Sequence, residues 1–277
     1  LGWRWGFWGP GLACVAAALV LSRTLADRPQ TYGLPPVAVY KDDPASIPAK
    51  KSVGGLQRQV LATPAIWILG LSSAAMYVAR YGVNGWGVLF LQESKGYTLV
   101  GAGQVLAVAQ VAGFFGTLAS GWISDRFFGA RRNAPALLYG LLEVASIVTL
   151  FLAPAGLPWL DYAAMAAFGF AIGGLVAYLG GLMAVDIAPE GAAGSAVGIV
   201  GMFSYIGAAV QDYVSGSLIE ASKSVVDGKA VYTFDSAFHF WIGASVVSLV
   251  LALSVWNARR PAAEEEPPPA EAGPAPA

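Results

Sequence analysis

The chain has 277 residues, 56% of them hydrophobic and only 12% charged, which is too apolar for a soluble domain of this length. Its net charge of −1 says nothing about partners, although the placement of charge does. A single cysteine, Cys14, excludes an intramolecular disulfide and a cysteine-cluster metal site; it sits among alanines and reads as inert packing.

Seven apolar runs follow one another at about 5–22, 65–91, 99–121, 135–153, 160–185, 196–217 and 237–256. Each is near the length of about 20 residues that spans a bilayer as a helix. They are continuous and do not alternate, which excludes membrane strands. The fold class expected is therefore an all-α membrane protein. Between the first run and the second lies a polar stretch with Pro29, Pro35, Pro36, Pro44 and Pro48, so residues 23–60 read as a linker. Six spans with short connections then make a bundle over residues 61–257. Residues 258–277 are rich in Pro, Ala and Glu and are expected to be disordered, with Glu264, Glu265 and Glu266 as a solvated end. One helix, a long linker and six helices is the arrangement expected when another bundle comes first. The chain opens at Leu1 without a signal-peptide pattern. Residues 1–22 are therefore expected to be the last helix of an N-terminal bundle, and the chain a piece of a longer protein.

Charge placement orients the bundle. If the first run ends in the cytoplasm, that side holds Arg23, Arg28, Lys41, Lys50, Lys51, Arg58, Arg126, Arg131, Arg132, Arg259 and Arg260. The other side holds only Arg4, Lys95, Lys223 and Lys229. The positive-inside rule then places the linker and the C-terminus in the cytoplasm of a cell inner (plasma) membrane protein. Tryptophans near segment ends (Trp3, Trp5, Trp122, Trp159, Trp241, Trp256) fit interfacial belts.

Arg80 is the one basic residue inside an apolar run. At helical rise it lies roughly 21 Å from one end of the stretch Ile66–Leu91 and roughly 17 Å from the other. An arginine at that depth costs at least about 3 kcal/mol on insertion scales, so it faces a watery cavity or a partner charge. Its planar fork of donors suits phosphate and carboxylate. The two readings are an anion site and a buried pair with Glu143 or Asp212. Ser73, Tyr77, Arg80 and Asn84 share one helix face, a polar stripe expected to line a cavity. Tyr205 and Asp212 share a face of the run 196–217. Glu143 reads equally well as a protonated packing residue, and His239, near a helix end, as interfacial rather than a proton relay. Gly169, Gly173, Gly174, Gly180 and Gly181 favour close helix approach and bending.

The sequence Gly121-Trp-Ile-Ser-Asp125-Arg126-Phe-Phe-Gly129-Ala-Arg131-Arg132 closes a span on the cytoplasmic side. Gly121 permits tight helix crossing there. Asp125 can cap the next turn or pair with a loop arginine, and such pairs latch one conformation. This loop resembles the signature of the major facilitator superfamily. The segment Arg28-Pro-Gln-Thr-Tyr-Gly-Leu-Pro-Pro36, followed by Tyr40-Lys41-Asp42, resembles the central loop of its organophosphate/phosphate antiporters, the carriers of glycerol-3-phosphate and hexose phosphates. Tyr77-Val-Ala-Arg80-Tyr-Gly-Val-Asn-Gly-Trp86 resembles that family's seventh helix. Asp186-Ile-Ala-Pro189, Ala192-Ala-Gly194-Ser-Ala-Val-Gly198 and Phe203-Ser-Tyr205-Ile-Gly207 resemble its tenth-to-eleventh helix region.

The resemblance implies helices six to twelve of a twelve-helix carrier, with a missing N-terminal bundle as partner. It further implies that Arg80 binds substrate phosphate together with an arginine of helix one, with Tyr77 and Tyr205 lining the pore; Asn84 joins these substrate-binding candidates from the polar stripe. Gln110 stands where some members carry a glutamate. The activity implied is exchange of an organophosphate for inorganic phosphate by alternating access in the lipid bilayer. Related membrane receptors that sense external hexose phosphate keep the same arginine, so a sensor is the alternative. The chain shows no nucleophile–base set or metal-ligand cluster, so no enzyme activity, cofactor or metal is expected, and no nucleic acid among its partners.

Overall fold

A computed structural model describes residues 4–26, 29–35, 53–129, 131–189, 191–226 and 229–258. The chain divides into two compact units, Leu1–Lys51 and Ser52–Ala277.

The first unit carries helix α1, Trp5–Thr24, and a 3-10 turn, Pro29–Tyr32. The Tyr32 hydroxyl donates to the Thr24 carbonyl at 3.0 Å, returning the chain to the helix end. The remainder of the expected linker, residues 36–52, and the tail after residue 258 lie outside the described residues.

The second unit begins with a short helix, α2 (Val53–Leu61), in the stretch that composition marks as linker. It packs through Val60, fully buried in the core. Six long helices follow: α3 (Pro64–Lys95), α4 (Leu99–Phe128), α5 (Asn133–Leu152), α6 (Pro158–Ile187), α7 (Ala193–Ala221) and α8 (Asp235–Ser254). Each is long and apolar enough to cross a membrane.

The helices outrun the apolar stretches because polar residues such as Gln92, Glu93 and Asp125 continue the helix beyond them. Local chemistry sets the ends. Pro64 and Pro158 stand in the first turns of α3 and α6, where no amide partner is needed. Gly96 and Gly129 close α3 and α4 in the left-handed region, at φ 72° and 56°. Thr98 caps α4 by accepting from the Gly101 amide at 3.1 Å.

Helices α4 and α6 make the most extensive crossing, followed by α3 with α7, α3 with α8 and α5 with α6. A methyl group at Gly169 would run into the Ala109 backbone, one at Gly173 into Gly113, and one at Gly116 into Phe170. These glycines let the α4 and α6 backbones touch. Gly180 and Gly181 meet no neighbour; they lie in a π-helical turn, Tyr178–Leu182, that interrupts α6. Such turns bend a helix.

Trp241, expected at the interface, is instead fully buried. Its indole donates to Ser215 Oγ at 2.8 Å and its ring lies against Gly82, while Trp122 and Trp159 do face outward. A two-stranded antiparallel hairpin, β1 (Ser224–Val226) and β2 (Lys229–Val231), joins α7 to α8.

Candidate functional site

Arg80 stands halfway along α3, half-buried. Its guanidinium carbon lies 5.0 Å from the centroid of the Tyr77 ring and 5.5 Å from that of Tyr81. Spacings of three residues and one residue place these rings around the cation, whose charge their π faces favour. The ion pairs among the described residues are Lys95–Asp161, Arg132 with Asp125 and Asp186, and Lys223–Glu220. Arg80 enters none of them. The alternative partners are elsewhere: Glu143 is buried between α5 and α8 and accepts from Ser245 Oγ at 2.9 Å, while Asp212 is exposed on α7.

Beside Arg80 opens a cavity of about 210 Å³ between α3, α4 and α6. Arg80, Asn84, Gln110 and Thr117 supply its polar wall, and Gly113, Gly169 and Gly173 its backbone floor. Gln110 Nε2 donates to Asn84 Oδ1 at 3.0 Å. That bond uses one donor of Gln110 and one acceptor of Asn84, leaving the Asn84 amide donors free beside the guanidinium. Thr117 Oγ1 donates to the Gly113 and Gly173 carbonyls, each at 3.0 Å, and ties α4 to α6 behind the cavity. On the opposite flank, Tyr205 of α7 meets Tyr77 edge-on at 5.9 Å and is 64% exposed.

The structure thus brings together Arg80, Tyr77, Asn84 and Tyr205, and adds Gln110, Thr117 and Tyr81. Gln110 is a polar residue within an apolar run, a signal present in the sequence; Thr117 and Tyr81 become legible only once the helices are packed. Ser73 departs from the expected stripe. It is buried and shares a 2.7 Å hydrogen bond with Ser204, so it joins α3 to α7 and does not line the cavity. The arrangement offers one permanent cation, neutral amide donors and aromatic walls, which suits an oxyanion.

Two further charged clusters mark the bundle ends. At the end reached by α3, Lys95 and Asp161 form a salt bridge with side chains only 3% and 1% exposed. The Tyr97 hydroxyl donates to the second Asp161 oxygen at 2.8 Å. Burial first, and then this bond to the carboxylate, push the Tyr97 phenol up from its ordinary value. At the opposite end Asp125 pairs with Arg132 at 2.8 Å, and Arg132 Nε lies 3.7 Å from Asp186. The loop pairing of Asp125 is therefore present. Arg126 is exposed, and Gly121 meets nothing within 4 Å where a Cβ would stand, so it makes no tight crossing among the described residues.

A bundle of six helices, each long and apolar enough to cross a membrane and crossing one another through small residues, defines a multi-pass membrane protein. Residues 1–211 match the Major Facilitator Superfamily, and the chain belongs to that family. It is 32% identical over 269 residues to the membrane sensor protein UhpC of Salmonella typhimurium, covering 94% of this chain and 58% of that protein. It is 29% identical to the glycerol-3-phosphate transporter of Bacillus subtilis, over 92% of this chain and 56% of that protein. A probable hexose phosphate transport protein of Chlamydia pneumoniae is 30% identical, over 93% of this chain and 58% of that protein. The chain thus spans little more than half the length of these relatives.

Proposed function

We propose that this chain supplies the C-terminal bundle, with the last helix of an N-terminal bundle, to a secondary carrier that exchanges an organophosphate for inorganic phosphate. The observation that carries the proposal is Arg80: a cation at mid-membrane with no carboxylate partner among the described residues, beside a polar cavity. A guanidinium left without a counter-charge in that setting is costly unless an external anion supplies one. Arg80 would grip two phosphate oxygens at once, Asn84 would donate to a third, and Tyr77 and Tyr205 would wall the pore.

Relatives named for glycerol-3-phosphate and hexose phosphate transport support the substrate class. An arginine from the partner bundle would complete the charge balance for a dianion, and closure around it would drive alternating access. Gly121, Asp125 and Arg126, in the last turns of α4, would border the cytoplasmic loop that the cycle rearranges. On this reading the protein sits in the inner membrane, with linker and C-terminus in the cytoplasm, as the basic residues favour.

A second reading, a receptor for external hexose phosphate, is favoured by the similarity to the sensor protein UhpC. Vesicles reconstituted with the complete protein and loaded with labelled phosphate separate the two. Exchange against external glycerol-3-phosphate or hexose phosphate supports the carrier. Binding of hexose phosphate without exchange supports the receptor, and neither binding nor exchange refutes both.

A further inference from the structure

The end of the bundle where α4, α6 and α8 finish and α5 begins holds a second cavity, of about 610 Å³. Arg131, Arg132, Asn133, Asp186, Phe127 and Trp256 stand in its wall. Three features of that wall seek an anion. Arg131 is exposed and enters none of the ion pairs among the described residues. Arg132 spends Nη1 on Ser124 and Asp125, both at 2.8 Å, while its Nε is buried with no hydrogen-bond acceptor, Asp186 being too distant at 3.7 Å. A buried donor without an acceptor is rare and unfavourable. Helix α5 starts at Asn133 with no side-chain cap, and the Asn133 amide is turned away to the Trp256 carbonyl. Pro135 has no N–H and that of Ala136 bonds the Arg132 carbonyl, so the backbone N–H groups of Asn133 and Ala134 are the two left to be satisfied among the described residues.

Asp125, from the last turn of α4, and Asp186 both face Arg132, so the charge left unmet in this wall is that of Arg131. Helix N-termini with basic side chains bind phosphate oxygens. Phe127 and Trp256 give this end the aromatic rim expected where helices leave the bilayer.

We infer that this cavity is a phosphate-anion site, separate from the one at Arg80. It takes either the phosphate of an anionic lipid headgroup or inorganic phosphate. Because Arg132 also holds Asp125, an anion bound there acts on the loop that joins α4 to α5.

The test uses the complete protein in detergent and native mass spectrometry. Phosphatidylglycerol, phosphatidylcholine and inorganic phosphate are titrated against the wild type, Arg131→Gln and Arg80→Lys. Arg131 is exposed, so its replacement leaves the fold intact. The expected result is one anionic adduct whose affinity falls about tenfold in Arg131→Gln, the scale of one charge-assisted hydrogen bond, and is unchanged in Arg80→Lys. Phosphatidylglycerol behaving this way identifies the headgroup as ligand, and inorganic phosphate behaving this way identifies the free anion. Equal retention in wild type and Arg131→Gln overturns the site, as does equal retention of phosphatidylcholine, whose phosphate is balanced by its own cation. Phosphate binding lost only in Arg80→Lys also overturns it, while leaving the central site in place.

Discussion

Helix α3 carries two cations, and their surroundings differ in kind. Lys95, at the C-terminal end of α3, is buried against Asp161, which Tyr97 also holds. Arg80, fifteen residues earlier, has only tyrosine faces and neutral amides around it. Both sit where water is scarce, so both need their charge met. Lys95 meets it inside the bundle, which makes it part of the architecture linking α3 to α6. Arg80 has no carboxylate partner among the described residues, and on the proposed reading its charge is met from outside the bundle. Removing the first should therefore damage the fold, whereas changing the second should damage recognition.

The largest expected effect breaks the Lys95–Asp161 pair. Lys95→Met leaves Asp161 buried with one neutral donor, and losing one partner of a buried pair costs about 3–5 kcal/mol. A detergent-solubilised thermal unfolding series should show that loss, with phosphate affinity near wild type in the fraction that folds. A stable variant would place Lys95 on the same footing as Arg80.

Tyr97→Phe is the milder break at the same place. It removes a hydrogen bond to a charged group, about 1.5–3 kcal/mol at most. The raised Tyr97 phenol gives this contact a pH signature of definite sign. Stability from keeping that proton is complete below the ordinary tyrosine value of about 10 and erodes as pH rises beyond it. The stability difference between wild type and Tyr97→Phe should therefore be constant below about pH 10 and shrink as pH rises above it.

Tyr77→Phe sharpens the contrast on the Arg80 side. It removes one neutral donor and keeps the ring under the guanidinium, so phosphate affinity should fall by about 0.5–1.5 kcal/mol in a calorimetric titration. The smallest stability effect is expected at the opposite end. Asp125 is exposed, and its pair with Arg132 is worth at most about 1 kcal/mol. Asp125→Asn should slow exchange in vesicles while leaving substrate affinity nearly unchanged. Affinity that collapses while exchange continues normally would move Asp125 from the loop to the site.

Much of this contrast is readable before packing is known, because one signal needs no partner. A basic residue in an apolar run is conspicuous wherever it lies, and Arg80, Tyr77 and Asn84 share a face by helical spacing alone. The pairing of Asp125 with a loop arginine is legible because Asp125, in the last turn of α4, and Arg132, just before α5, are only seven residues apart. Lys95 and Asp161 are 66 positions apart, and each stands near a run's end, where charge is ordinary. Only the α3–α6 geometry makes them a buried pair. Ser73 shows the opposite error: the stripe predicts a cavity position, but α7 covers that turn and Ser204 takes its hydroxyl. Gly121 and Trp241 fail for the same reason, since neighbours and not sequence position decide whether a glycine is crowded or an indole is exposed. Helix α2 is short and polar, and the β1–β2 hairpin has strands of three residues each, so neither offers the long apolar period that marks the spans.

The central claim is that the Arg80 fork, and not merely its charge, recognises phosphate. Lysine in its place keeps the charge and loses the two-pronged grip. Isothermal titration of the complete protein with inorganic phosphate, wild type beside Arg80→Lys, tests this directly. The account predicts a loss of about 1.5–3 kcal/mol, tenfold or more in affinity. Wild-type phosphate affinity in Arg80→Lys would contradict it.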